Sequence, residues 1–383
     1  MSGYARTVAQ ERIAQLAVHG MDLATFWRAC TEILAPVMPH YLGPCWFTLD
    51  PASLLVTSHF QQGMDEIPPE WLAQEYYEDD FNKMADVARS QRGVATLHEA
   101  TGGDPHRSRR YASTIVAYGG EQELLAGLRT PSGDVWGVLG LYRAPGQPMF
   151  DSAELEYVRS LAPSLAEGAR RALLLGEATD PEGAHAPGLL VLGADWTIES
   201  MTPGVEEWLA ELPDGDWEHG RLPSAVHAVA GQALRSAAGQ APGETAFARV
   251  LSRAGRWIVL HGAALVTDGT RRAAVIVEPA HPARIIPLLM AAYGLTERER
   301  DVTRLVLQGS STAEIADALF ISPHTVQQHL KNVFEKTGVR TRRDLVGKVF
   351  FTHYEPRVRD NEQRATQGLP LRGGPAARVT SGS

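Results

Sequence analysis

LTERERDVTRLVLQGSSTAEIADALFISPHTVQQHLKNVFEKTGVRTRRDLVGKVF, residues 295–350, sets out four helix starts in one short stretch. Thr296 with Glu299 three residues on is a T-x-x-E capping box, followed by apolar Val302, Leu305 and Val306. Gln308-Gly309 stops that helix, because glycine takes the left-handed cap without strain. Ser311 with Glu314 forms a second box, and Ile315, Ala316 and Leu319 face inward behind it. Ser322 caps a third helix with Pro323 at its first position, where a missing N–H does no harm. Its inner stripe is Val326, Leu330, Val333 and Phe334, and it stops at Gly338. Thr341 caps a fourth helix, with Leu345, Val346, Val349 and Phe350 expected inward. Glu297, Glu299 and Asp301 read as first-turn acids favoured by the helix dipole, with no catalytic part.

Phe320-Ile321-Ser322 leaves room only for a tight turn between the second and third helices. Two helices joined this way, the second polar and basic outside, form the arrangement that enters the major groove. The outward face of the third helix holds His324, Gln327, Gln328, Lys331 and Glu335. Glutamine can pair bidentately with adenine, and lysine reaches guanine acceptors. Thr325, Lys336, Arg340, Arg342 and Arg343 are placed for phosphate or the groove rim, and Thr312 joins them. A purely structural four-helix cap would leave an outward Gln-Gln-x-x-Lys without a purpose.

LTERERDV (295–302), QGSSTAEIADALFIS (308–322) and HTVQQHLKNVFEKTGV (324–339) resemble the LuxR-type (FixJ-like) helix-turn-helix family. The resemblance implies base-reading positions at Gln327, Gln328 and Lys331, phosphate-contacting positions at Thr325 and Lys336, and structural roles for Val326 and Glu314. Two positions depart from the family pattern. Gln327 stands where lysine is common, and Ala313 where lysine is frequent, so the basic rim is thinner.

Charge supports this division. The 383 residues carry a net charge of −9, yet 295–350 holds nine Lys/Arg against seven Asp/Glu. An acidic body with a locally basic end keeps the bulk off DNA while one face docks on it. The length calls for several domains. No run of 18 apolar residues occurs and the N-terminus lacks an apolar signal core, so a cytoplasmic, non-membrane protein is expected. Cys30 and Cys45 are too few for a disulfide framework.

Upstream the pattern is α+β. Asp22 caps a helix with a stripe of Phe26, Trp27, Cys30, Ile33, Leu34, Val37 and Met38. Strand-like runs at 45–49 and 54–60, a helix around 69–77, a hairpin over 124–128 and 135–142, and a long helix opened by Asp151 and Glu154 follow, with Pro163 as a potential kink. This order, closing on FDSAELEYVRSLAPSLAEG, resembles the GAF sensor family. A strand pair at 188–192 and 197–201, a helix after Pro203, a helical stretch over 222–238, and three strands at 245–251, 256–266 and 272–278 are similar to a PAS domain. The expected domains are a GAF-like sensor or dimerisation domain (1–178), a PAS-like domain (187–280), the LuxR-type helix-turn-helix (288–351) and a disordered tail (352–383). Linkers are expected at 177–188 and 278–286, both marked by prolines.

No phosphate-binding G-x-x-x-x-G-K-[ST], nucleophile elbow, H-E-x-x-H or C-x-x-C occurs, so no catalytic residue, metal ligand or cofactor is assigned. Asp79-Asp80 reads as a solvated helix end, and His59, His98 and His261 as satisfied core or edge residues. The fold class expected is α+β multidomain, two sheet domains followed by an all-α four-helix end. The function expected is a transcriptional regulator that binds double-stranded DNA as a homodimer, modulated by an unidentified small ligand or partner at the GAF-like domain. The alternative is constitutive binding by a regulator whose front domains only dimerise or bind protein partners.

Overall fold

The computed structural model describes residues 3–62, 70–174, 187–240, 244–267, 270–280 and 282–353. The expected linker at 177–188 falls almost wholly outside them, as does all but the first two residues of the expected tail. The chain divides into two units, one holding residues 1–176 and 184–294, the other the helices from Leu295 onward.

The first unit begins with α1 (Gly3–Val18), an element without a cap signal in the sequence, which buries only Ala9, Ile13 and Ala17. α2 (Leu23–Leu34) starts as expected: the Asp22 carboxylate accepts the Thr25 amide at 2.9 Å. β1 (Leu42–Leu49) and β2 (Val56–Phe60) pair antiparallel. α3 (Glu70–Tyr77), α4 (Met84–Arg89), β3 (Val94–Thr96) and α5 (Leu97–Ala100) follow. A π-helical segment, Tyr111–Val116, leads to the β4 (Gln122–Arg129) and β5 (Val135–Arg143) hairpin. α6 (Ser152–Leu174) closes this half and stays helical through Pro163. Its start is the expected box: Glu154 N–H donates to Asp151 at 2.8 Å, and Asp151 N–H to Glu154 at 3.2 Å.

The sheet order is β2-β1-β5-β4-β3, antiparallel throughout. β1 and β5 are buried along almost their whole length, because helices cover both faces. That explains why they read as continuous apolar runs and not as alternations. Trp27 of α2 stacks on Trp46 of β1 with ring centroids 4.5 Å apart, and the Trp46 indole donates to Thr31 at 2.9 Å. A Cβ on Gly168 of α6 would sit 2.0 Å from the Phe26 ring, so no larger residue fits that helix crossing.

The second sheet contains β6 (Gly188–Leu192), β7 (Ile198–Met201), β8 (Phe247–Leu251), β9 (Trp257–Thr267) and β10 (Thr270–Pro279) in the order β7-β6-β10-β9-β8. α7 (Val205–Glu211) begins after Gly204, one residue beyond Pro203. α8 (Ser224–Ala237) lies across this sheet. β6 alternates between buried and half-buried residues, the mark of a sheet covered mainly on one side.

The two sheets share one buried apolar cluster, running from Phe47 through Leu72 and Ala73 of α3 into Val226 and Ala230 of α8. The backbone oxygen of Ala73 would lie 2.3 Å from a Cβ on Gly231. Asp50, at the end of β1, accepts both side-chain and backbone N–H groups of Arg249 on β8, at 2.5 to 3.0 Å. Both side chains are buried, so each charge depends on the other. Asp214 accepts the His59 amide at 2.7 Å and the Ser224 amide at 3.0 Å, tying β2 to α8.

α9 (Pro282–Ala292) occupies much of the stretch read as a linker. Pro282 stands at its first position, where proline starts a helix as readily as it breaks one. Ile285, Leu288, Leu289 and Ala292 are buried, and the Arg170 guanidinium of α6 caps the Ala292 carbonyl. Two of the three histidines read as satisfied are not. His59 Nε2 and His98 Nδ1 are buried without a partner, whereas His261 pairs with Glu278 at 3.2 Å.

Candidate nucleic-acid interface

The second unit consists of α10 (Glu297–Leu307), α11 (Thr312–Leu319), α12 (Pro323–Thr337) and α13 (Arg342–His353). Each start expected from local chemistry is present. Thr296 and Glu299 form a reciprocal capping box, as do Ser311 and Glu314. The Ser322 hydroxyl accepts the Thr325 amide at 3.0 Å ahead of Pro323, and Thr341 accepts the Asp344 amide at 3.0 Å. α12 ends on Gly338 at φ +68°. The Ser311 amide and hydroxyl hold the Glu314 carboxyl below its ordinary pKa.

The core of this unit is Leu295, Val302, Val306, Ile315, Ala316, Val326, Leu330, Val333 and Leu345, all buried. These side chains fix α12 against α10 and α11, and so fix which face of α12 looks outward. Val346 departs from its expected inward place and is 37% exposed. Val349 and Phe350 have side chains outside the described residues.

His324, Gln327, Gln328, Lys331 and Glu335 are all exposed on α12. The Gln327 amide donates to the Thr312 hydroxyl at 3.3 Å, which brings the starts of α11 and α12 together. Gln328 donates to Asn332 one turn later, at 3.2 Å. Lys331 has no hydrogen bond or ion pair to another described residue. Arg340 and Arg343 are exposed in the same condition, while Arg342 donates to the Ser310 carbonyl. Thr325 shares its hydroxyl with Ser322 at 2.8 Å. The candidate residues therefore gather at the N-terminal half of α12, with arginines at the α12–α13 turn.

Lys336 is placed differently. Its ammonium donates to Glu299 on α10 at 2.6 Å. Glu299 is no solvent-facing dipole acid: its side chain is 4% exposed and bonds both the Thr296 amide and Lys336. Burial pushes its carboxyl up, but Lys336 and Thr296 together outweigh this and hold it below its ordinary value. Asp301 pairs with Arg304 at 3.0 Å. Phe320 lies in the tight turn expected ahead of Ser322. It sits in the turn at φ +55° and is 95% exposed, a strained backbone position for a side chain that buries nothing.

Among the described residues no group of three or more His, Cys, Asp or Glu side chains is arranged to hold a metal, and no helix is long and apolar enough to cross a membrane.

Residues 294–349 match the family model for bacterial regulatory proteins of the luxR family. A Mycobacterium bovis protein described as an HTH-type transcriptional regulator is 34% identical over 165 residues, 43% of this chain. The chain spans only 15% of that relative's length. Spore germination protein GerE of Bacillus subtilis is 48% identical over 52 residues, 14% of this chain and 70% of GerE. Among solved structures, the GAF domain of an Acinetobacter phosphoenolpyruvate-protein phosphotransferase aligns over 46% of this chain and 99% of its own, at 17% identity and a TM-score of 0.31. Escherichia coli SdiA aligns over 90% of this chain and 97% of its own, at 13% identity and 0.30. Neither score reaches the level at which a shared fold follows. The match over α10–α13, at 48% identity across most of GerE, settles the family: the chain belongs to the LuxR family of bacterial regulatory proteins.

Proposed function

We propose that the protein is a cytoplasmic, dimeric transcriptional regulator that lays α12 in the major groove of double-stranded DNA. The observation that supports this best is the outward polar face of α12, where Lys331 stands exposed on a helix fixed by its own core. Gln327, Gln328 and Lys331 read base edges. Thr312, Thr325, Arg340, Arg342 and Arg343 hold phosphates at the groove rim, and Lys336 at the helix end is held by Glu299. One module reaches too few base pairs to pick out an operator, so two copies act on two half-sites. The exposed Val346 gives α13 an apolar side chain for that pairing.

The front of the chain divides in this reading into a GAF-like domain over 1–178 and a PAS-like domain over 187–280. The helix-turn-helix follows over 288–351, with a tail from 352. A small ligand or a partner at the GAF-like domain modulates operator binding. The alternative is a constitutive binder whose front domains only dimerise or meet protein partners.

Footprinting of bound genomic DNA tests the regulator reading. Discrete protected sites that vanish with Lys331→Ala support it. Uniform binding, unchanged by that substitution, removes the base-reading role.

A further inference from the structure

The starts of α11 and α12 are joined by one side-chain hydrogen bond: the Gln327 amide nitrogen donates to the Thr312 hydroxyl at 3.3 Å. Gln327 is exposed and Thr312 half-buried. A glutamine amide carries two N–H donors and one carbonyl acceptor, whereas a hydroxyl carries one donor and two acceptor sites. In the direction observed, Gln327 spends one N–H on Thr312. Its carbonyl oxygen and second N–H are left for an outside partner. Thr312 keeps its own O–H hydrogen, which no hydrogen bond to another described residue uses.

With α12 in the groove, Thr312 gives that hydrogen to a phosphate at the rim. Arg342 donates to the Ser310 carbonyl and so brings a guanidinium beside the same turn. The nearby Glu314 carboxylate is folded back on the Ser311 amide at 2.6 Å. Ala313 supplies no charge, so a phosphate here relies on neutral donors such as the Thr312 hydroxyl.

A phosphate oxygen only accepts. A Thr312 hydroxyl that donates to phosphate therefore has only lone pairs left for Gln327. The amide is then held with its nitrogen towards Thr312 and its carbonyl oxygen outward. Without phosphate, the hydroxyl could donate to that carbonyl instead and the amide could turn over. A hydrogen bond to a charged acceptor is roughly twice as strong as a neutral one, so the phosphate sets the direction.

The base edges of the major groove divide by the same logic. Adenine offers the N6 amino donor beside the N7 acceptor, and guanine offers two acceptors, O6 and N7. An outward carbonyl with a free N–H beside it matches adenine at both atoms and sets oxygen against oxygen at guanine. A turned amide, presenting two N–H groups, would suit guanine. Gln328 donates to Asn332 at 3.2 Å with the same polarity, but Asn332 carries both a donor and an acceptor, so nothing there fixes the direction.

We propose that Thr312 is a positioning residue of the DNA interface: bound to phosphate, it holds the Gln327 amide so that Gln327 selects adenine over guanine. The proposal rests on the reading of α12 as the base-reading helix.

The test selects binding sites for the full chain from a randomised double-stranded DNA library and sequences them. Gln327→Ala identifies the base pair that Gln327 reads, as the one whose preference is lost. The parent should favour A·T over G·C there by about fivefold or more, the low end for one good bidentate contact. Thr312→Val keeps the shape and removes the hydroxyl. It should bring the two pairs close to equal at that position, beyond any uniform loss of affinity. Thr312→Ala should do the same, which separates the hydroxyl from the packing of valine, and Thr312→Ser should restore the preference. If Thr312→Val weakens binding to all sequences alike and keeps the A·T preference, Thr312 is a plain phosphate contact and the proposal is overturned. So it is by a G·C preference in the parent, by a Thr312→Ser that behaves like Thr312→Val, or by a Gln327→Ala that alters no position. In each of those cases the parent still enriches a defined site. A parent that enriches no sequence at all sinks the reading of α12 as a base reader, and the adenine selection with it.

Discussion

Lys336→Ala decides whether Lys336 holds the fold or holds DNA. In the structure its ammonium lies 2.6 Å from Glu299, whose side chain is 4% exposed while that of Lys336 is 35% exposed. Fully exposed pairs contribute at most about 1 kcal/mol, whereas removing one partner of a fully buried pair costs about 3–5 kcal/mol. Half of this pair is buried, and the lysine end is screened by solvent, so a loss of about 1–3 kcal/mol is expected. For a unit this small, each kcal/mol lowers Tm by roughly 4–8 °C. Calorimetry of the full chain should show the transition of the helical unit falling by roughly 5–20 °C, with that of the front unit unchanged. Glu299→Gln keeps an oxygen for the Thr296 amide and loses only the charge, so it should cost less. Lys336→Met combined with Glu299→Gln should recover part of the loss. The pair also sets a pH signature. Glu299 titrates below its unfolded value, so its contribution is present above about pH 4.5 and lost as pH falls through the folded pKa. Lys336→Ala should lack that acid-side loss. If instead the variant unfolds like the parent and its log K against log salt slope drops by about 0.9, Lys336 is a phosphate contact and the structural reasoning is wrong.

Lys331→Ala should cost about 1–3 kcal/mol of operator affinity in a fluorescence titration and leave the unfolding of the helical unit unchanged; full operator affinity in the variant would count against base reading. His227 is 1% exposed with neither ring nitrogen bonded, and burial drives its pKa down to about 4. Its neutral form therefore contributes stability fully above about pH 6.5, lost progressively as pH falls towards 4, by at most about 3 kcal/mol. His227→Leu should raise the midpoint of the front unit at pH 7 and flatten urea-unfolding stability between those pH values; a lower midpoint with the same slope would refute this. Gly231→Ala places a methyl against the Ala73 backbone oxygen and should cost about 1–3 kcal/mol in the front unit alone, read as one shifted calorimetric transition out of two.

The helical end was legible because its signals are local. Thr296–Glu299, Ser311–Glu314 and Ser322–Thr325 are all three residues apart, and each pair forms in the structure as written in the chain. The strand pairs flanked by turn residues, and the cap at Asp22, were legible for the same reason. What escaped is long-range or weakly marked. Glu299 and Lys336 lie 37 residues apart, and Asp50 and Arg249 lie 199 apart, so no window joins them. α1 has no cap and buries few side chains. β3 has three residues, too few to show a period. α9 was hidden by its prolines, since Pro282 reads equally as a linker residue or as the first residue of a helix.

The buried bond between the sheets constrains how any signal can travel in the front unit. Sliding one sheet against the other would part Asp50 from Arg249, leaving two charges stranded at 0% and 6% exposure. It would also break the Asp214 bonds to His59 and Ser224. Removing a partner from a buried pair costs several times what a surface contact returns, so that motion is the least accessible one. Rearrangement is easier where polar groups are already unsatisfied and the covering is thin. The unpaired Trp71 and Arg110 donors beneath the π-helical turn are such a place. Local change at Ile115 and α3 is therefore more accessible than sliding of one sheet against the other.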